Sequence, residues 1–162
     1  MTADWLVPLL AEGRLAEARD RLTRDGLLDL SGLSGSSRLL LPLLLTREPI
    51  LLVVPRERDV DEVAQDLRTF ARETGAEGDV VSFPAPGPGP FRGLPRHPEA
   101  SLRRAAALLS AARGRLRALV ASPAGLLRPS LAHGFLETRV VSLRRGDEMT
   151  PEILLEALDE GG

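Results

Sequence analysis

Cysteine, lysine, asparagine and tyrosine are absent from this 162-residue chain, and aromatic residues make up only 3% of it. Without cysteine there can be no disulfide and no thiolate metal site. The two histidines, His97 and His133, stand apart with no acidic partner at ligand spacing, so no metal centre is expected. His97 and Glu99 flank Pro98 at a helix start, where a capping role suffices, and no Ser-His-Asp order has a supporting motif. All 21 of the Lys-or-Arg positions are arginine, the usage of a GC-rich genome in which lysine drifts to arginine. A net charge of −2 offers no global basic field for nucleic acid. Long apolar runs are missing too. Leu39 to Leu45 falls far short of the roughly twenty residues that cross a bilayer. Met1-Thr-Ala-Asp also lacks the positive region of a secretion signal. These absences predict a soluble, cytoplasmic chain with no membrane partner.

What is present is a globular composition, 43% hydrophobic and 27% charged, in a chain long enough to bury a core. Residues 4–24 read as a helix pair or one interrupted helix, with Leu15, Ala18 and Leu22 at helical spacing and Gly26 as the stop. Leu27 to Leu30 reads as a short buried strand, and Ser37 to Leu45 as a helix bent or interrupted by Pro42. Ile50 to Val54 is uniformly apolar, as expected of a strand covered on both faces. An amphipathic helix follows from Asp59 to Glu73, ended by Gly75, with Val60, Val63, Leu67 and Phe70 on one side. Asp79 to Phe83 is the next strand. The Pro/Gly-rich stretch 84–98 is an extended loop. Glu99 to Arg113 is a helix carrying Leu102, Ala106 and Leu109, and Leu116 to Ala121 a strand closed by the cap pair Ser122-Pro123. Alternating strands and helices predict an α/β fold, a parallel sheet in three layers flanked by helices. Beyond Leu131 a second unit opens near Gly134, with an alternating strand at Glu137 to Leu143 and a helix, Ile153 to Leu158, capped by Thr150-Pro151.

One stretch has the layout of a phosphate-binding loop. An apolar run leads into Gly32-Leu-Ser-Gly35-Ser36-Ser37-Arg38-Leu39 and then a helix. The working pattern is G-x-x-x-x-G-K-[ST], whose hydroxyl holds magnesium. Here Ser37 replaces the second glycine, Arg38 the lysine and Leu39 the hydroxyl residue. Arginine bias alone could explain Arg38, but a leucine cannot ligate magnesium. The glycines then serve a strand-to-helix turn, with a residual anion site at the helix N-terminus as the functional alternative.

The glycine stretch, Ile50-Leu-Leu-Val-Val-Pro55, the Phe83-Pro84 loop closing on Pro95-Arg-His-Pro-Glu99, Arg103-Arg104, 119-LVASPAGLLRP-129 and 139-RVVSLRRGDEMTPEILLEAL-158 together resemble one family over nearly the whole chain. It is the bacterial transcription-repair coupling factor, at its N-terminal module, which is similar to UvrB. The resemblance implies a degenerate loop in place of UvrB's intact one. It also implies no tyrosine-rich DNA-inserting hairpin, whose position Phe83 to Pro98 fills with proline. The family usually shows a Trp and a Tyr in that loop; only Phe91 remains here. The implied protein is an ATP-driven DNA translocase that displaces stalled RNA polymerase and recruits UvrA. This chain would be a non-catalytic adaptor with no cofactor of its own, ATP and magnesium belonging to downstream motor domains. RNA polymerase and DNA would meet those same domains, UvrA mainly a surface beyond residue 162, and this module would pack on the rest of the parent. The implied organisation is a helical segment 1–26, a UvrB-like domain 27–134 and the opening of a truncated UvrA-interaction domain, 135–162. The alternative is a truncated UvrB-like nucleotide-binding ATPase.

Two further candidates read blandly. Asp147-Glu148 might mimic the acid pair of a nucleotide hydrolase, but Arg144-Arg145-Gly146 separates it from the strand, so a solvated turn is expected. Arg103, Arg104, Arg113, Arg115 and Arg117 form the densest basic stretch. With no interleaved aromatics, it is expected to be a solvated face.

Overall fold

The computed structural model describes residues 13–87, 98–130, 140, 143, 145, 146 and 148–161. In chain order the elements are α1 (Gly13–Asp25), α2 (Ser37–Leu45), β1 (Ile50–Val53), a 3-10 turn (Glu57–Asp59), α3 (Val60–Thr74), β2 (Asp79–Phe83), α4 (Pro98–Ala112), β3 (Leu116–Ala121), the short α5 (Pro123–Leu126) and α6 (Pro151–Gly161). The three strands form one parallel sheet in the order β1-β3-β2. The predicted α/β architecture is therefore present, as a small three-stranded parallel sheet flanked by helices.

Alternation along the strands separates two cores. Val80 of β2 and Ala118 and Val120 of β3 face Val60, Ala64, Leu67 and Ala71 of α3, with Leu39 and Leu43 of α2 completing the cluster. The spacing of the α3 residues, every three or four positions, is the helical stripe that lets one helix cover one sheet face. On the opposite face, Phe83 and Ala121 meet Ala107 of α4, with Val81, Leu108 and Leu119 packed around them. A smaller cluster joins Leu40 and Leu44 of α2 to Leu15 of α1 and Phe70 of α3.

The helix ends follow their local chemistry. Gly26 (φ 68°) and Gly75 (φ 66°) stop α1 and α3 in the left-handed conformation that glycine adopts without cost. Ser122 Oγ accepts from the Gly125 amide at 3.1 Å, and Pro123 occupies the first turn of α5 as expected. α6 starts at Pro151 with Thr150 Oγ1 accepting from Ile153 N at 3.4 Å. α2 continues through Pro42, whose own carbonyl still accepts from Thr46 N.

Three expectations are corrected. Leu27 to Leu30 is not a buried strand: it is irregular, with Leu27 73% exposed and Leu30 43% exposed. A four-residue stretch interrupted by Asp29 carries no periodicity that identifies a strand, and only pairing would have fixed it. β1 is not covered on both faces, because Leu51 and Val53 are exposed while Ile50 and Leu52 turn inward. α4 does not pack through Leu102, Ala106 and Leu109; its inward residues are Arg104, Ala107 and Ser110, and Leu102 is exposed. The predicted strand at 137–143 lies largely outside the described residues, as do the first part of the predicted 4–24 helical segment and most of the 84–98 loop.

Candidate functional site

The glycine-rich loop lies at the carboxyl end of β1, where open α/β sheets bind ligands. Gly32 (φ 76°) and Gly35 (φ 54°) take left-handed conformations, with nothing near enough to clash with an added side chain. The positive φ at both positions is a backbone reason for glycine there. Ser36 precedes α2 with no side-chain cap bond, while its carbonyl accepts from Leu39 N and Leu40 N. Ser37 Oγ donates back to Ser34 O at 2.7 Å. Arg38 is exposed, and Leu39, at the magnesium-ligand position of the working motif, is buried in the α2–α3 core with Val54 and Val60. No strand leads into the loop, so the strand–loop–helix context that gives this motif its meaning is missing.

A cleft of about 650 Å³ does open beside the loop. Gly35, Ser36 and Arg38 line it on the loop side, and Arg56, Asp59, Glu62 and Asp66 complete it. Three carboxylates against two guanidiniums make it a poor host for a polyphosphate, whose charge they repel.

The rest of the carboxyl end is filled by the chain's own polar groups. Glu57 accepts from Ala85 N at 2.6 Å through one carboxylate oxygen and from the Ser122 hydroxyl through the other. One carboxylate thereby joins the loop after β1 to the ends of β2 and β3. Arg104 reaches in from α4, donating to Pro84 O (3.0 Å), Gly125 O (2.9 Å) and Ser130 Oγ (3.0 Å). Its guanidinium carbon lies 3.9 Å from the centroid of the Phe83 ring, a cation–π contact. Burial pushes the Arg104 pKa below its ordinary value, and the Glu57 charge opposes that shift. Gly125 is needed here because a Cβ would stand 2.7 Å from the Phe83 carbonyl oxygen. Gly125→Ala is expected to cost about 2 kcal/mol by overpacking, read as a lower urea midpoint at unchanged slope.

The arginine stretch is not one solvated face. Arg103 bridges Glu99 (2.6 Å) and Asp61 (2.9 Å), and Arg115 pairs with Asp79 at 3.6 Å. Arg104 and Arg117 are buried clamps. Arg117, 4% exposed, donates to Glu48 O, Leu43 O and Thr46 O, and burial lowers its pKa. Composition cannot separate these two from their neighbours, because an Arg-only basic set erases the Lys/Arg contrast that often marks bidentate sites. Glu57 and Ser122 were missed for another reason: 65 residues apart, they meet only through the sheet. Ser122 had a signal as a cap; Glu57 had none.

His97, His133 and Asp147 lie outside the described residues. Among the described residues no group of three or more metal-ligating side chains could hold a metal ion, and no helix is long and apolar enough to cross a membrane. The fold and site define an α/β chain built on a short parallel sheet, with a closed carboxyl end and a glycine loop beside an acidic cleft. No family model, curated protein or solved structure matches the chain.

Proposed function

We propose that this chain is a non-catalytic adaptor module, similar to the UvrB-like N-terminal module of a bacterial transcription-repair coupling factor. The observation that carries the non-catalytic part is Leu39. The residue standing where a nucleotide hydrolase places its magnesium hydroxyl is a core side chain at 7% exposure. Converting it to a ligand would require unpacking α2 from α3. The acidic wall of the neighbouring cleft and the internally bonded end of the sheet support the same reading.

On this reading the module works through protein contacts. It packs on the rest of its parent and takes part in recruiting UvrA, while work on RNA polymerase and DNA falls to ATP-driven motor domains outside residues 1–162. UvrA contact by this chain alone is weak, so a pulldown at ordinary salt is expected to recover none. Robust retention of UvrA would contradict that.

The decisive titration is calorimetric, with ATP and magnesium against this chain and against the double variant Arg38→Lys, Leu39→Thr. No binding heat is expected from the unaltered chain. Magnesium-dependent binding by it would overturn the adaptor reading in favour of a UvrB-like nucleotide-binding ATPase.

A further inference from the structure

β2 lies at a margin of the sheet: among the described strands it pairs with β3 on one side and with none on the other. Backbone groups alternate in direction along a strand. The Asp79 amide donates to Arg115 O, just before β3, so Asp79 and Val81 address β3 while Val80 and Ser82 turn outward. Outward amides and carbonyls of this kind invite strand addition, and folds cover or blunt them. Val80 and Ser82 are each 8% exposed, so this margin is covered.

Two side-chain contacts lie across it. Arg68 of α3 donates through Nε to Val80 O at 2.8 Å, occupying the first outward carbonyl. Nearer the end of the strand Asp61 and Arg103 meet, both carboxylate oxygens accepting from Arg103 Nη1 at 2.9 Å. Asp61 belongs to α3 and Arg103 to α4, which cover opposite faces of the sheet. A bond between them has to pass around the sheet, and it does so beside β2. The two residues share a recess of about 390 Å³ with Arg68, Val81, Ser82 and Ala107. Glu99, one turn earlier on α4, steadies the same guanidinium by accepting from Nη2 at 2.6 Å.

We propose that the Asp61–Arg103 pair is a latch across the outer edge of β2, loosened by salt, that governs access to the backbone of Ser82. The inference goes beyond the adaptor reading and does not depend on it.

The energetics suit a part that opens. The Asp61 and Arg103 side chains are 63% and 42% exposed, and exposed pairs add little to stability. Loss of the pair therefore uncovers the edge without unfolding the domain. Its charges also face solvent, where salt at about 1 M shortens the screening length to about 3 Å. Arg68 bonds a neutral carbonyl, so salt leaves that contact in place and confines the opening to the Ser82 end.

Amide hydrogen exchange of the whole chain tests the latch, with solvent as the probe of access and the Val120 amide of the central strand as the gauge of global opening. In Asp61→Asn, exchange at Ser82 is expected to rise about tenfold while Val120 changes by less than about twofold. In the native chain, salt at about 1 M is expected to raise Ser82 exchange about threefold, and to have no such effect in Asp61→Asn. Arg103→Gln should reproduce Asp61→Asn. The double variant should exchange no faster than either single one, because all three lose the same contact. Equal Ser82 exchange in native and variant chains would overturn the latch. Parallel acceleration at Val120 would overturn it too, by showing a general loss of stability. Multiplied effects in the double variant would reveal two independent contacts and would likewise overturn it.

Discussion

Arg117→Met is expected to cost about 3 kcal/mol or more, a large fraction of the roughly 5–15 kcal/mol that holds a domain together. The guanidinium joins three separate carbonyls, those of Leu43, Thr46 and Glu48, to the start of β3. Leu43 and Thr46 belong to the end of α2, whose last carbonyls carry the negative end of the helix dipole. Arg19 of α1 donates to the next carbonyl in line, Leu44 O, at 2.9 Å. Methionine fills much of the same space but leaves the buried Leu43 carbonyl and the part-buried carbonyls of Thr46 and Glu48 without that donor, and an unpaired buried group costs more than a made bond returns. Burial already holds the Arg117 cation below its ordinary pKa, so the clamp exists because the carbonyls offset a desolvation cost. Arg117→Lys keeps the charge and loses the fork, and it should fall between the two. Urea unfolding monitored by far-ultraviolet circular dichroism would read all three proteins. Equal stability of wild type and Arg117→Met would show that water replaces the clamp without loss.

Leu67→Ala is expected to cost about 3–4 kcal/mol, since deletion of a fully buried leucine leaves a cavity as well as losing its transfer energy. Leu67 is 1% exposed at the centre of the cluster that joins α3 to β2, β3 and α2. Leu102→Ala in α4 removes the same atoms from a side chain that is 71% exposed, and it should change stability by no more than about 0.5 kcal/mol. The pair therefore measures how far hydrophobicity alone misleads. Both leucines sit at helical spacing in helices of 15 residues, and only one lies on the inward stripe. If the two variants lost equal stability, the inward face of α4 would have to include Leu102.

The contrast between α3 and α4 shows how unevenly the sequence discloses this fold. In α3 the apolar positions fall on one stripe with acidic and basic residues between, so the helix, its buried face and its glycine stop all follow from the order of residues. In α4 alanines surround the helix, and the residue at the centre of its inward face is an arginine. Nothing local marks Arg104 as buried. Its acceptors, Pro84 O, Gly125 O and Ser130 Oγ, are brought to it from 20 to 26 residues away. The glycine loop behaves in the opposite way. Its residues already depart from the phosphate-loop motif as a string, and the structure adds that Leu39 is a core side chain and that no strand precedes the turn.

By itself, the sequence determined the three strands at 50–53, 79–83 and 116–121, the helices between them, the caps at Ser122 and Thr150, and the departure from the phosphate-loop motif at Leu39. These depend on residue periodicity, on capping chemistry and on side-chain identity, all of which act over a few neighbouring positions. Tertiary structure alone decided the strand order β1-β3-β2, the exposure of Leu51 and Val53, the irregular course of Leu27 to Leu30, and the burial of Arg104 and Arg117. Those outcomes depend on which strand lies at the edge and on which carbonyls converge on a cation. Pairing and convergence of that kind arise between distant segments, whose free energy of contact no single stretch of the chain contains.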